Sequence, residues 1–167
     1  LAPHLAELVF AAGAGDLLVG SVSHSDHPPA VQDLPRVGDA FRIDLERMLA
    51  LAPDLVIAWD SGNPGPALQA IENLGLPVWR TEVRELEQMS DLLLELGRAT
   101  GRTATAGAAE QALRGRIGEL RERHGGAGPV RYFYQVAERP LYTLNGRHLV
   151  SRALALCGGS NVFENLG

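Results

Sequence analysis

The chain has no lysine: all fifteen of its basic residues are arginine. That bias reads as a genome-composition signature and carries no mechanistic argument. Cysteine is nearly absent too, and the single Cys157 excludes an internal disulfide framework. No stretch approaches the eighteen or so consecutive apolar residues of a membrane-spanning helix. No basic stripe is interleaved with aromatics, and the net charge of −5 argues against a nucleic-acid partner. A nucleophile elbow, a phosphate-cradling loop and a dinucleotide fingerprint are all lacking. The initiator methionine is lacking as well. The chain opens at Leu1-Ala2-Pro3, which reads as a processed or trimmed product and leaves room for a removed targeting segment.

What is present, 167 residues with 46% hydrophobic content, suffices for one ordinary core or one and a part. The longest regular pattern runs from Thr103 to Arg123. Ala106, Ala109, Leu113, Ile117 and Leu120 recur there at steps of three and four, one face of an α-helix. About twenty residues at 1.5 Å each span roughly 30 Å, the diameter of a small domain. The glycines and proline of 124–129 stop the helix. Its stripe is narrow and alanine-rich, which suits a rigid connector lying across two lobes better than a helix filling one core.

Before it, strand and helix signals alternate. Pro3 to Gly15 reads as a helix and Asp16 to Ser23 as a short buried strand; a Pro28-Pro29 loop follows. Asp44 to Leu51 is a short helix with Asp44 as N-cap and Leu45, Met48, Leu49 and Leu51 facing inward. Asp54 to Trp59 is the clearest strand. A turn-rich loop (60–66), a helix from Ala67 to Leu74, a strand from Leu76 to Arg80 and an amphipathic helix from Leu86 to Ala99 complete the set. This alternation predicts a parallel, right-handed α/β lobe, with ligands beyond the carboxyl ends of its strands, at the loops after Ser23 and Trp59. After the long helix come a strand from Val130 to Val136, another near Leu141-Tyr142-Thr143, and a helix from His148 to Leu156. Two strands and a helix cannot bury a core, so the second lobe is expected to be incomplete in this chain.

Several segments carry a family resemblance: residues 1–8 (Leu-Ala-Pro-His-Leu-Ala-Glu-Leu), Gly20 to Pro29 with its Ser-Asp-His-Pro-Pro, Val37-Gly38-Asp39, Asp44-Leu45-Glu46-Arg47, and Pro53 to Trp59. In these the chain resembles the cobalamin (vitamin B12)-binding periplasmic proteins of ABC importers. They belong to the helical-backbone class of substrate-binding proteins, which also holds siderophore and haem binders. Pro53-Asp54-Leu55-Val56 is common to that wider class, whereas Asp26-His27-Pro28-Pro29 with Ala58-Trp59 is closer to the cobalamin branch.

The resemblance implies two parallel-sheet α/β lobes joined by one long rigid helix, with the ligand in the cleft between them. It assigns 1–100 to a first lobe lacking its first strand, 101–126 to the connector and 127–167 to the beginning of the second lobe. It further implies a periplasmic or membrane-anchored extracytoplasmic protein whose signal peptide has been removed. Cobalamin would be a transported ligand and not a cofactor, no enzyme activity is expected, and the permease subunits at the membrane would be partners. Cys157 would be a free thiol here and a candidate for a disulfide in the complete protein.

On this footing the ligand-binding candidates are Pro3, His4, His24, Phe41 and Trp59. Trp59 ends a strand, where its ring offers a macrocycle a flat apolar wall at little entropic cost; a core tryptophan is the other reading. His24 stands where the family often has tyrosine, keeping a flat ring and adding a nitrogen able to hydrogen-bond or bind a metal. A loop histidine without a role is its alternative. Phe41 lies one residue beyond a family aromatic matched here by Ala40, and is either a substitute wall or core. In the second lobe Tyr134, Gln135 and Val136 occupy the matching strand. Glu46 matches the carboxylate presented to a permease arginine, although a glutamate in a first helical turn is also ordinary dipole chemistry. A siderophore or haem binder of the same fold is the nearest alternative. The loops after Ser23 and Trp59 carry no arginine to hold an iron complex, which favours the corrinoid. A metal-dependent hydrolase built on His24, Asp26 and His27 is the remote one, for their spacing lacks helical i, i+4 geometry and a further ligand.

Overall fold

The computed structural model describes residues 1–126 and 128–166. Ala127, in the run expected to stop the long helix, and Gly167, the last residue of the expected second lobe, lie outside them. The described residues divide into two units, 1–82 with 92–109 and 83–91 with 110–167.

The first unit grows from two parallel strands, β1 (Val56–Trp59) and β2 (Val78–Thr81), in register from Val56 opposite Val78 to Trp59 opposite Thr81. Thr81 Oγ1 donates to Ala58 O at 2.9 Å, so the polar end of β2 is satisfied inside the sheet. Val56 and Ala58 join Val22, Val37, Met48, Leu68 and Ile71 in the core, with Ile43, Leu45, Leu51 and Leu76 packed at its edge. Helices α1 (Pro3–Ala11), α2 (Leu45–Ala50) and α3 (Gly65–Asn73) flank the strands in sequence. Pro3 and Pro66 occupy first turns, where the missing N–H costs nothing. Asp44 caps α2 by accepting the Arg47 N–H at 2.9 Å. Helix α4 (Leu86–Thr100) buries Leu92, Leu93 and Leu96, and Gly97 lets Ala106 of α5 (Thr103–His124) approach so closely that a Cβ would lie 2.3 Å from the alanine methyl. The long helix thus forms with its expected face inward: Ala106 and Ile117 are buried, and Ala109, Leu113 and Leu120 are half-buried.

In the second unit β3 (Val130–Tyr132) pairs parallel with β6 (Gly159–Asn161), and β4 (Gln135–Ala137) pairs antiparallel with β5 (Tyr142–Thr143). Helix α6 (Leu149–Leu156) is capped by His148, whose Nδ1 accepts the Val150 N–H at 3.2 Å. Among this unit's described residues Ile117 is the buried hydrophobic, while Val130, Val136, Leu141 and Tyr142 are more than half exposed. Ion pairs on its surface join Arg152 to Glu85 at 2.8 Å and Arg121 to Glu87 at 3.3 Å.

Four sequence expectations need correction. Asp16 to Ser23 is not a strand: residues 15–17 form a 3-10 turn, and only Ser21 bridges to Arg36. Ser21 and the 35–37 segment exchange two backbone bonds of 2.9 Å, but Pro35 has no N–H to continue the ladder. Leu49 is 40% exposed, because α2 is six residues long and only Met48 is fully buried from it. The run from Val130 to Val136 breaks at Phe133-Tyr134 into β3 and β4, which join different sheets. The two strands expected after the long helix are joined by a further one, since Gly159–Asn161 supplies β6.

Candidate functional site

Trp59 closes β1, and the three segments that meet it are loops or a helix start. His4, in the first turn of α1, sets its ring edge against the Trp59 indole, with centroids 5.3 Å apart and planes at 86°. Burial holds the His4 imidazole below its ordinary pKa, while Glu82 pulls the other way. Its neutral form is therefore favoured. Gly62 explains how the indole lies where it does. A Cβ there would sit 1.9 Å from Trp59 Cε3 and 2.2 Å from Cδ2, so only glycine leaves room for the ring over the backbone.

Asn63, 4% exposed, ties these pieces together. Its Oδ1 accepts the Trp59 N–H at 2.8 Å, and its Nδ2 donates to Leu1 O at 2.8 Å and Ala40 O at 2.9 Å. One buried amide thus joins the start of α1, the loop that carries Phe41, and the end of β1. In that loop Asp39 accepts the N–H groups of Phe41 at 2.7 Å and Arg42 at 2.8 Å. Those two bonds, Phe41's first, hold its carboxyl below the usual range, with the charges of Arg42 and His24 contributing less. Phe41 itself is 70% exposed, which removes the core reading.

The loop carrying His24 is stitched to the same region. Ser23 donates both its N–H (2.8 Å) and its Oγ–H (3.0 Å) to Gly38 O. Gly38 has φ +103°, and a Cβ on it would meet Arg42 O at 2.0 Å, so this junction requires glycine. His24 is exposed and sits at φ +64°, third residue of a turn closed by the Ser25 N–H to Val22 O bond of 3.3 Å. A left-handed backbone costs a non-glycine residue roughly 1–2 kcal/mol.

The structure therefore brings His4 against Trp59, ties the Phe41 loop to them through the Asn63 amide, and joins the His24 loop to the Phe41 loop through the Ser23 to Gly38 bonds. Pro3 adjoins His4 at the start of α1. Glu46 stands apart, exposed on α2. Among the described residues no three of His, Cys, Asp or Glu form a group able to hold a metal ion. A separate apolar groove of about 440 Å³, lined by Leu5, Val9, Leu18, Met48, Leu55 and Ile57, takes none of the candidates and is an opening beside the core. In the second unit Tyr134 is 38% exposed, and Cys157 is an exposed free thiol. Sequence reasoning missed Gly62, Asn63, Gly38 and Arg36. The first two lay in a segment whose turn-rich composition was their only signal.

A sequence profile for periplasmic binding proteins matches residues 1–167, the whole chain. The chain belongs to the periplasmic binding protein family. That family is one of binding proteins and not of enzymes. Among its relatives, the vitamin B12-binding protein of Vibrio cholerae serotype O1 is 37% identical over 165 residues, an alignment covering 99% of this chain and 60% of that protein. The vitamin B12-binding protein of Yersinia pestis is 36% identical, covering 99% and 59%. The chain thus spans about 60% of the length of the curated relatives it matches. The crystal structure of the periplasmic vitamin B12 binding protein of Vibrio cholerae matches with TM-score 0.91 at 37% identity, over 99% of this chain and 65% of that one. A periplasmic heme binding protein from Pseudomonas aeruginosa matches with TM-score 0.87 at 27% identity, over 98% and 61%. The fold is the helical-backbone fold of these proteins, of which this chain is a part.

Proposed function

We propose that this chain belongs to the substrate-binding component of an ABC importer, which captures cobalamin or a related corrinoid and delivers it to the membrane permease. One observation carries the reading. Trp59 stands at the carboxyl end of β1, steadied by His4 and seated on Gly62, as a flat wall for a large macrocycle. The vitamin B12-binding names of relatives near 37% identity support the choice of ligand. Pro3, His4, His24, Phe41 and Trp59 are the proposed contacts from the first unit, and cobalamin is cargo and not a cofactor. Calorimetry on the full-length protein tests the site. Trp59→Ala should weaken cyanocobalamin binding by more than about 1 kcal/mol, the scale of a lost aromatic wall. Unchanged affinity would remove Trp59 from the site.

A second reading, haem as ligand, rests on the heme-binding neighbour at 27% identity. The 24–29 and 60–66 loops carry no arginine for its propionates, although Arg42 stands exposed beside Phe41, so the vitamin B12-binding names of the relatives are what favour the corrinoid. Glu46, exposed in the first turn of α2, is the proposed carboxylate for a permease arginine. A periplasmic location for the mature protein is part of this proposal, supported by the family.

A further inference from the structure

The His24 turn has an unusual support. Arg36 reaches across from the neighbouring segment and donates from Nη1 to Ser21 Oγ and to Val22 O (3.0 Å), and from Nη2 to Ser25 O (3.0 Å). Its acceptors lie on both sides of His24 in sequence. Ser21, Val22 and Ser25 are 8%, 1% and 1% exposed, so the floor of the turn is buried while His24 at its apex faces solvent. The turn needs such a brace. His24 occupies the position of positive φ, where glycine or asparagine is the usual choice, and the Ser25 to Val22 bond that closes it is long at 3.3 Å. A planar guanidinium with its donors in a fixed fork can hold two carbonyls and a hydroxyl at once, which a lysine ammonium or a glutamine amide cannot reproduce.

We infer that Arg36 is a positioning residue: by clamping Ser21, Val22 and Ser25 it fixes the 22–25 turn and so sets the direction from which the His24 imidazole meets a bound ligand. Arg36 acts through the backbone of His24 and needs no ligand contact of its own. The inference rests on the corrinoid reading for the identity of that ligand, but the clamp itself is a property of the ligand-free chain. It also accounts for a histidine kept at a strained position, since a turn braced on both sides holds a direction that a relaxed loop would not.

The test is a double-mutant cycle on the full-length protein, read by cyanocobalamin titration and by amide hydrogen exchange without ligand. Arg36→Gln should weaken cyanocobalamin binding about tenfold and speed exchange at Ser23 and Ser25 by a similar factor. In a His24→Ala background the same change should alter affinity by less than about twofold, because the residue being aimed is gone. Arg36→Lys should recover part of the affinity. Leu93→Val, a buried change in α4 outside the core cluster that holds Val22, supplies a destabilised control whose affinity stays at the parent level. An equal loss with and without His24, or unchanged exchange at Ser23 and Ser25, would overturn the positioning role. A parent protein that fails to bind cyanocobalamin would overturn the corrinoid reading instead, and the exchange data would then still decide whether Arg36 holds the turn.

Discussion

Replacing Gly62 with alanine would place a methyl carbon 1.9 Å from Cε3, 2.2 Å from Cδ2 and 2.3 Å from Cζ3 of the Trp59 indole. Carbon atoms in contact settle near 3.5–4.0 Å, so the ring must retreat by roughly 1.5 Å or more, or swing to another rotamer. Retreat would break the 5.3 Å edge contact with His4. Because the indole is only half-buried, the folding cost should fall at the low end of overpacking, about 1 kcal/mol. Ligand affinity should fall by about as much as when the ring is deleted, at least ~1 kcal/mol, since a displaced wall is no wall. The chain has two tryptophans, Trp59 and Trp79, so Gly62→Ala in a Trp79→Phe background reports on Trp59 alone. Its emission maximum should shift red as the ring moves into water, with cyanocobalamin affinity measured on the same sample. Unaltered emission together with unaltered affinity would refute the argument that Gly62 seats the ring.

Asn63→Ala should destabilise the protein by about 2–3 kcal/mol in urea titrations, because it strands Trp59 N–H and the Leu1 and Ala40 carbonyls at a buried site. The His4 pKa is lowered on folding by burial, so the unfolded chain binds its proton first as pH falls. Stability should be full above the unfolded value near 6.5 and decline below it, and His4→Gln should flatten that decline in melts run from pH 7.5 to 5. Glu46→Arg should leave cyanocobalamin affinity intact while lowering uptake, most visibly at low salt, since rim charges govern docking more than ligand binding; lost corrinoid affinity would move Glu46 into the site.

Local chemistry was legible wherever one segment decides its own structure. The 3.6-residue period gave α5 its span to within a residue of its end, and Asp44 announced the start of α2. The continuous apolar run gave β1, with Trp59 at its end. What escaped depends on partners far away in the chain. Asp16 to Ser23 has a strand's composition, but its would-be neighbour contains Pro35 and Gly38, which cut the ladder to a single bridge. Gly159–Asn161 shows no strand pattern of its own and becomes a strand because β3 lies beside it. Trp59 is nominated from the sequence as a ring at a strand end, and His24 from the resemblance, at a position where the family often has tyrosine. Gly62, Asn63 and Arg36 are not legible there, because a small residue under a ring, or a polar group joining segments 11 to 62 residues apart, is defined by contact alone.

The central claim is that the apolar wall at the end of β1 serves a corrinoid in preference to an iron porphyrin. Absorbance competition on the full-length protein addresses it most directly, with cyanocobalamin titrated in the presence and absence of haemin. The cyanocobalamin spectrum should show a saturable one-to-one change that excess haemin does not displace and that Trp59→Ala weakens about tenfold. Saturable haemin binding that excludes cyanocobalamin, or an unchanged cyanocobalamin spectrum, would contradict it.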